Sequence, residues 1–203
     1  AGRYISLEEF EPSSATGIEV LGVGADEGRQ EGVMVVRYTV NESVRTEARF
    51  YDFDANLIET VSISGLEQTR EYGLRGYLQS DESGLWVGLD YGTGRMGMQA
   101  SPPQLLLLDR SGSEVVAPNL EVPVGVHRWD GKLYLVGEDG GEPRFSAIDP
   151  NGRLDDPQTW DASLAFARNL DGPLEVLDDR LLPSTCMNTA GTRGPFCTKF
   201  FIP

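Results

Sequence analysis

Short stretches of alternating apolar and polar residues cover most of the chain, and they predict β-strands rather than helices. Residues 32–40 and 57–63 alternate in this way, and residues 132–137 place Leu133 and Leu135 on one face of a strand. Glycine, proline, asparagine and aspartate separate these stretches and supply the reversals between them. The pattern therefore predicts an all-β chain of short antiparallel strands.

An aspartate-led turn recurs along this pattern. In each copy an apolar strand ends at an Asp, a few turn residues follow, and a second short strand leaves. The copies span residues 51–57, 108–114 and 148–154, and their leading residues are Asp52, Asp109 and Asp149. The strands around them fall into four groups, which include predicted strands at 73–79, 114–120 and 163–168. We predict a single domain, residues 1–203, with four units at 17–65, 73–121, 124–160 and 163–203.

These units resemble the blades of the broad β-propeller superfamily, in which an Asp-x-x-Gly turn joins the outer strands. The resemblance covers about residues 17–160 and rests on the turn and on a period of about 40 to 50 residues. It implies a small or partial propeller of about four antiparallel blades with a funnel-shaped binding face, and no particular activity. The WD40, kelch and hemopexin signatures are missing. A β-sandwich is the alternative fold.

The charge and hydropathy of the chain limit the classes of partner that it is expected to bind. The net charge of −15 argues against nucleic acid, because phosphate binding needs a clustered basic surface. No run reaches the roughly 18 apolar residues that a membrane helix requires, so the sequence predicts a protein that does not span a membrane. We therefore expect another protein, or a larger assembly, as the partner.

The two cysteines lie near the end of the chain, at Cys186 and Cys197. The residues between them show neither a helical nor a strand period. A disulfide there would stabilise this segment by about 3 kcal/mol in the chain-entropy model. Such a bond favours an oxidising compartment, so we predict an extracellular, periplasmic or envelope location. The alternative is two free thiols on neighbouring strands.

One stretch has the spacing of a calcium loop. Carboxylate and amide oxygens recur at alternate positions there, as calcium loops use them. The stretch departs from an EF-hand loop at Leu57 and Ile63, which replace the required Gly and Glu. Calcium is the one cofactor that the sequence suggests, and the alternative is a turn whose Asp side chain binds its own backbone. The candidate ligands are Asp52, Asp54, Asn56 and Glu59.

Catalytic signals are weak. His127 is the only histidine, and it shares a strand face with Gly125 and Trp129. No Gly-x-Ser-x-Gly element supplies a nucleophile. Acidic residues are frequent in the last third, but no pair can be placed at the spacing of a glycosidase. We predict no catalytic residue. The alternative function is a carboxylate-dependent hydrolase or lyase on a propeller scaffold.

Binding signals lie in the connections. Residues 91–103 form a long irregular stretch, and such loops are often functional. Trp86 and Trp129 read as core residues, whereas Trp160 reads as a surface aromatic. The sequence thus predicts a non-catalytic binding or interaction module of an exported protein, within a larger extracellular or envelope assembly. The candidate contact residues are Tyr91, Arg95, Met96, Met98 and Trp160.

Overall fold

The computed structural model describes residues 12–66, 78–90 and 102–159, together with four short strands between residues 174 and 198. This part of the chain is all-β and antiparallel, as the alternation predicts, and contains sixteen strands and no helix. None of the described residues belongs to a helix that could cross a membrane.

Three four-stranded meanders follow one another along the chain, each with its strands paired in sequence order. Sheet 1 contains β1 (Thr16–Asp26), β2 (Glu31–Val40), β3 (Ser43–Asp52) and β4 (Leu57–Ser62). Sheet 2 contains β5 (Gln79–Ser80), β6 (Trp86–Asp90), β7 (Gln104–Asp109) and β8 (Gly112–Val116). Sheet 3 contains β9 (Val122–Trp129), β10 (Lys132–Asp139), β11 (Glu142–Ile148) and β12 (Gln158–Thr159).

Two hairpins make up the remaining strands. One pairs β13 (Leu174–Leu177) with β14 (Arg180–Pro183), and the other pairs β15 (Thr185–Met187) with β16 (Phe196–Thr198). The strand predicted at 163–168 lies outside the described residues.

The predicted bounds of β8 were wrong. The sequence placed this strand at 114–120, whereas it spans Gly112–Val116. Only Arg110 and Ser111 separate it from β7, so the strand resumes directly after the turn. Most of the strand predicted at 73–79 lies outside the described residues, and β5 begins at Gln79.

Sheet 2 lies between the other two, and its strand β7 shows why. Leu106 and Leu108 pack in an apolar cluster with sheet 1, whereas Leu105 and Leu107 pack in a second cluster with sheet 3. All four side chains are buried. A strand covered on both faces needs no alternation. The run of four leucines is therefore the sequence signature of the central sheet.

Trp86 seals the boundary between sheets 1 and 2 and is only 1% exposed, as expected for a core residue. Its indole lies directly against Gly24 of β1, where a Cβ atom would come within 2.6 Å of the ring and of the Leu78 carbonyl. Only glycine allows the two sheets to approach this closely.

The outer face of sheet 1 carries a satisfied polar network. Glu47 accepts a hydrogen bond of 2.9 Å from the Tyr38 hydroxyl and forms an ion pair of 2.6 Å with Arg49. The guanidinium carbon of Arg49 also lies 5.9 Å from the centre of the Tyr38 ring. Each buried charge on this face thus has a partner, as burial demands.

Polar contacts tie the three sheets together at one edge. Asp26, at the end of β1, accepts a hydrogen bond from the Ser80 hydroxyl of sheet 2, and it lies 3.7 Å from Arg128 of sheet 3. Arg110 of sheet 2 forms an ion pair with Glu31 of sheet 1. Burial by itself raises the pKa of Asp26, but the hydrogen bonds from Ser80 and Arg29 and the charge of Arg128 outweigh it and hold the pKa below its usual value.

Replacing Asp26 tests this link. We expect Asp26→Ala to lower the free energy of unfolding by about 2–4 kcal/mol, because it leaves a buried hydroxyl and a backbone N–H without their acceptor. Chemical denaturation measures the loss. Glu27→Ala, at the exposed neighbouring position, is the control and should have little effect. Equal losses in the two variants would show that Asp26 does not join the sheets.

Candidate functional site

Aspartate-led turns occupy one edge of the three sheets, and there are more of them than the sequence reading found. Asp52, Asp109 and Asp149 lead the turns between the third and fourth strands of each sheet. Asp26 and Asp81 lead the turns between the first and second strands of sheets 1 and 2. These two turns have a recognisable sequence pattern, in which Asp-Glu is followed by a glycine within three residues of the Asp. It occurs at 26–28 and 81–84.

The carboxylates at this edge are occupied by their own turns. Asp109 accepts from the backbone N–H groups of Ser111 and Gly112 at 2.6 and 2.9 Å, and Asp149 accepts from those of Asn151 and Arg153 at 2.8 and 2.9 Å. A hydrogen bond from the Ser111 hydroxyl lowers the pKa of Asp109, and one from the Arg153 backbone lowers that of Asp149. Groups held ionised in this way are poor candidates for general acids.

The calcium candidate has the same chemistry. Both carboxylate oxygens of Asp52 accept hydrogen bonds of 2.8 Å from Asn56, one from its backbone and one from its side chain. These bonds lower the pKa of Asp52. Among the described residues, no three His, Cys, Asp or Glu side chains are grouped as metal ligands would be, and this includes Asp54 and Glu59. The geometry favours the self-bonded turn over an ion site.

A groove opens between sheets 2 and 3, beside β8. Its cavity has a volume of about 650 Å³, within the usual range of ligand pockets. Leu107, Val116 and Leu154 form an apolar floor, and Glu114 and Arg153 lie at its walls with opposite charges. The sequence reading named none of these five residues as a site.

The chain path of sheet 3 creates this groove. Within residues 102–159, its outer strand β12 pairs with Arg144 and Phe145, and near the Asp149 turn a single bridge joins Ile148 to Leu154. The Asp149 turn and Leu154 therefore form one side of the groove. The turn itself fits closely against sheet 2, because a Cβ atom on Gly152 would overlap the Leu107 side chain. The packing of this turn on sheet 2 thus fixes the position of one wall of the groove.

The outer face of sheet 3 carries a chain of partly buried aromatic side chains. The ring of Tyr134 lies 5.8 Å from that of Trp129 and 6.0 Å from that of Phe145, centre to centre. His127 lies opposite Tyr134 on the neighbouring strand, against Gly125. Trp129 was expected in the core, and it is only partly buried.

All five sequence-predicted contact residues lie outside the described part of the chain: Tyr91, Arg95, Met96, Met98 and Trp160. The strands that flank residues 91–101 are described. Asp90 ends β6 and Gln104 begins β7, both at the edge opposite the Asp-led turns.

Cys186 and Cys197 face each other in register on β15 and β16. Directly opposed residues of an antiparallel pair have Cα atoms about 4.5–5.5 Å apart, which is within the range for a disulfide. The disulfide remains a prediction that this register favours.

The chain matches no protein-family model and no curated protein.

Acid titration tests the environment of His127. Burial lowers its pKa to about 4, whereas the unfolded chain has the ordinary value near 6.5. The unfolded chain then binds the extra proton between these values, so this contribution to stability is complete above pH 6.5 and is lost as the pH falls through 4.

We expect the unfolding free energy of the wild type, relative to His127→Gln, to fall by up to about 3 kcal/mol between pH 7 and pH 4. Denaturation of both proteins across this range measures the difference, and carboxylates common to both cancel. A difference that does not change with pH would contradict the buried neutral imidazole.

Thiol labelling tests the cysteine pair. The unfolded, unreduced protein should take up no alkylating reagent, and the reduced protein should be labelled at both cysteines, as mass spectrometry reads directly. Labelling of both before reduction would show free thiols. Cys186→Ser should lower the melting temperature only under oxidising conditions if the bond forms.

Proposed function

We propose that this chain is a non-catalytic binding module built from β-propeller blades, and that the groove beside β8 receives an extended segment of a partner protein. The groove itself is the observation that most directly supports this proposal. It combines an apolar floor, two opposite charges and an edge strand.

The stacking of the sheets supports propeller blades over a sandwich. The first strands of successive sheets are neighbours, since β1 contacts β5 and β5 contacts β9, and the outer strands β4 and β8 also meet. Sheet 2 is covered on both faces, which a two-layer sandwich does not provide. Residues 163–203 would supply the fourth blade.

The faces at the two ends of the stack support the same proposal. On sheet 1, Val36 and Tyr38 are nearly fully buried on the face that points away from sheet 2, and Val136 is buried on the outer face of sheet 3. Apolar burial on these second faces is what a blade with a neighbour on each side carries.

The edge strand explains why an extended segment would fit. Among the described strands, β8 pairs with β7 on one side and is the last strand of its sheet. Alternate residues of such a strand direct N–H and C=O groups outward, where another strand can pair with them. The apolar floor would take a side chain of the added strand. Glu114 and Arg153 would select charged neighbours along it.

The hydrolase or lyase alternative finds less support. An acid-base enzyme needs a carboxyl group whose pKa is raised. Each Asp whose pKa is shifted in the described ranges, namely Asp26, Asp52, Asp109 and Asp149, is shifted downward. Turn geometry accounts for these groups without any reaction.

The cysteine pair supports the proposed location of the protein outside the cytoplasm. The proposal of an exported protein in an extracellular, periplasmic or envelope assembly rests on the disulfide, and the thiol labelling above tests its premise.

Blocking the groove tests the binding proposal. Peptides selected from a displayed random library on the wild-type protein should bind Val116→Trp at least about tenfold more weakly, because the indole fills the floor. Fluorescence anisotropy with the selected peptides gives the affinities. Val44→Trp, the same change at an exposed position of sheet 1, is the matched control.

Charge reversal and hydrogen exchange add two readouts. Arg153→Glu should weaken the binding of peptides that carry an acidic residue and leave the binding of neutral peptides unchanged. Bound peptide should slow amide exchange in β8 more than in β4, the outer strand of sheet 1. Peptides that bind Val116→Trp and Val44→Trp equally well would refute the groove as the site.

A further inference from the structure

Sheet 1 holds a second buried arginine, and this one lacks adequate partners. Arg37 of β2 is 8% exposed, and it shares its face with Val33 and Val35, which pack against sheet 2. Its Nε atom is buried and has no hydrogen-bond acceptor among the residues that the structure describes. Its ion pair, to Glu19 of β1, is 4.0 Å long, and the Glu19 side chain is 51% exposed.

Arg49 shows what the same sheet does for a paired arginine. It lies on the other face, with Glu47 2.6 Å from its terminal nitrogen and 2.7 Å from its Nε. A guanidinium stays charged at any accessible pH, so burying one without acceptors costs stability. The contrast indicates that Arg37 is kept in place for a reason other than stability.

Its position supplies a reason. Arg37 lies where the apolar cluster between sheets 1 and 2 ends, on the side away from the Asp-led turns. On the facing surface of sheet 2, Asp90 and Gln104 are paired in register at the corresponding end. Arg37 is thus a buried donor with unused hydrogen-bonding capacity at the edge that carries the long connections.

We propose that Arg37 is the anchor of a binding site for an oxyanion, either a carboxylate or a phosphate group. The planar guanidinium matches both groups and can bind either through two parallel hydrogen bonds. Thr46 lies opposite Arg37 on β3 and can add a hydroxyl donor. The incoming anion replaces the long contact to Glu19, which is free to turn into solvent. Asp90 is already engaged in another interaction.

The site is independent of the groove beside β8. It uses different residues on the other face of sheet 2, so either proposal can fail without the other. Because the whole protein is strongly acidic, binding here depends on the local fork of donors rather than on a general positive field.

Thermal stability gives the first test. Arg37→Met should leave the melting temperature of the ligand-free protein unchanged or raised, because it removes a buried charge that lacks partners. Arg49→Met is the matched control, and it should lower the melting temperature because it leaves Glu47 buried without its partner. If both variants lose stability equally, Arg37 is an ordinary structural residue and the proposal is wrong.

Direct titration gives the second test. In the wild-type protein, acetate or inorganic phosphate should shift the Nε–H resonance of Arg37 in a saturable manner and leave that of Arg49 in place. The anion that saturates at lower concentration identifies carboxylate or phosphate as the natural group. Sodium chloride of equal ionic strength controls for screening.

The bound anion should also raise the melting temperature of the wild type and have no such effect on Arg37→Met. Arg37→Lys should bind about tenfold more weakly, because an ammonium cannot form the two parallel bonds. The absence of a saturable shift with either anion, or an equal rise in melting temperature for Arg37→Met, would overturn the proposal.

Discussion

Two-sided burial of sheet 2 is the constraint on which the rest of this structure depends. Leu105 to Leu108 can be buried only if a sheet covers each face of β7, and sheets 1 and 3 do so. Burying four leucines contributes about 6–12 kcal/mol before the entropy of folding is counted. Sheets 1 and 3 in turn each keep a second face, and those faces determine where further parts of the chain or a partner can pack.

Local sequence signals predicted the strands well because they depend on local physics. Alternation marks a half-buried strand, and Asp followed by small or polar residues marks a turn wherever the chain forms it. The turn led by Asp81 was missed because its strand β5 has only two residues, so no apolar run announced it. The bounds of β8 were missed because they depend on how tightly the Arg110-Ser111 turn closes.

The candidate sites were harder to predict because each combines residues distant in sequence. The groove forms where the Asp149 turn packs on Leu107 of another sheet. No local pattern around Glu114 or Arg153 encodes that contact. Arg37 did leave a signal, since it interrupts the apolar face formed by Val33 and Val35. Its significance becomes clear only when the burial of its Nε and the distance to Glu19 are known.

The two edges of the sheets are under different constraints. At one edge five turns begin at an aspartate that is bound to its own backbone, and Asp26 and Glu31 fasten neighbouring sheets together. At the other edge, two-residue turns at 41–42 and 140–141 occur together with connections as long as residues 91–103. Insertions at the first edge would alter strand register and sheet spacing together, whereas those in the long connections of the second would alter neither. A lineage carrying this scaffold could therefore diversify its second edge while the first stays nearly constant, and a designer could graft new loops there.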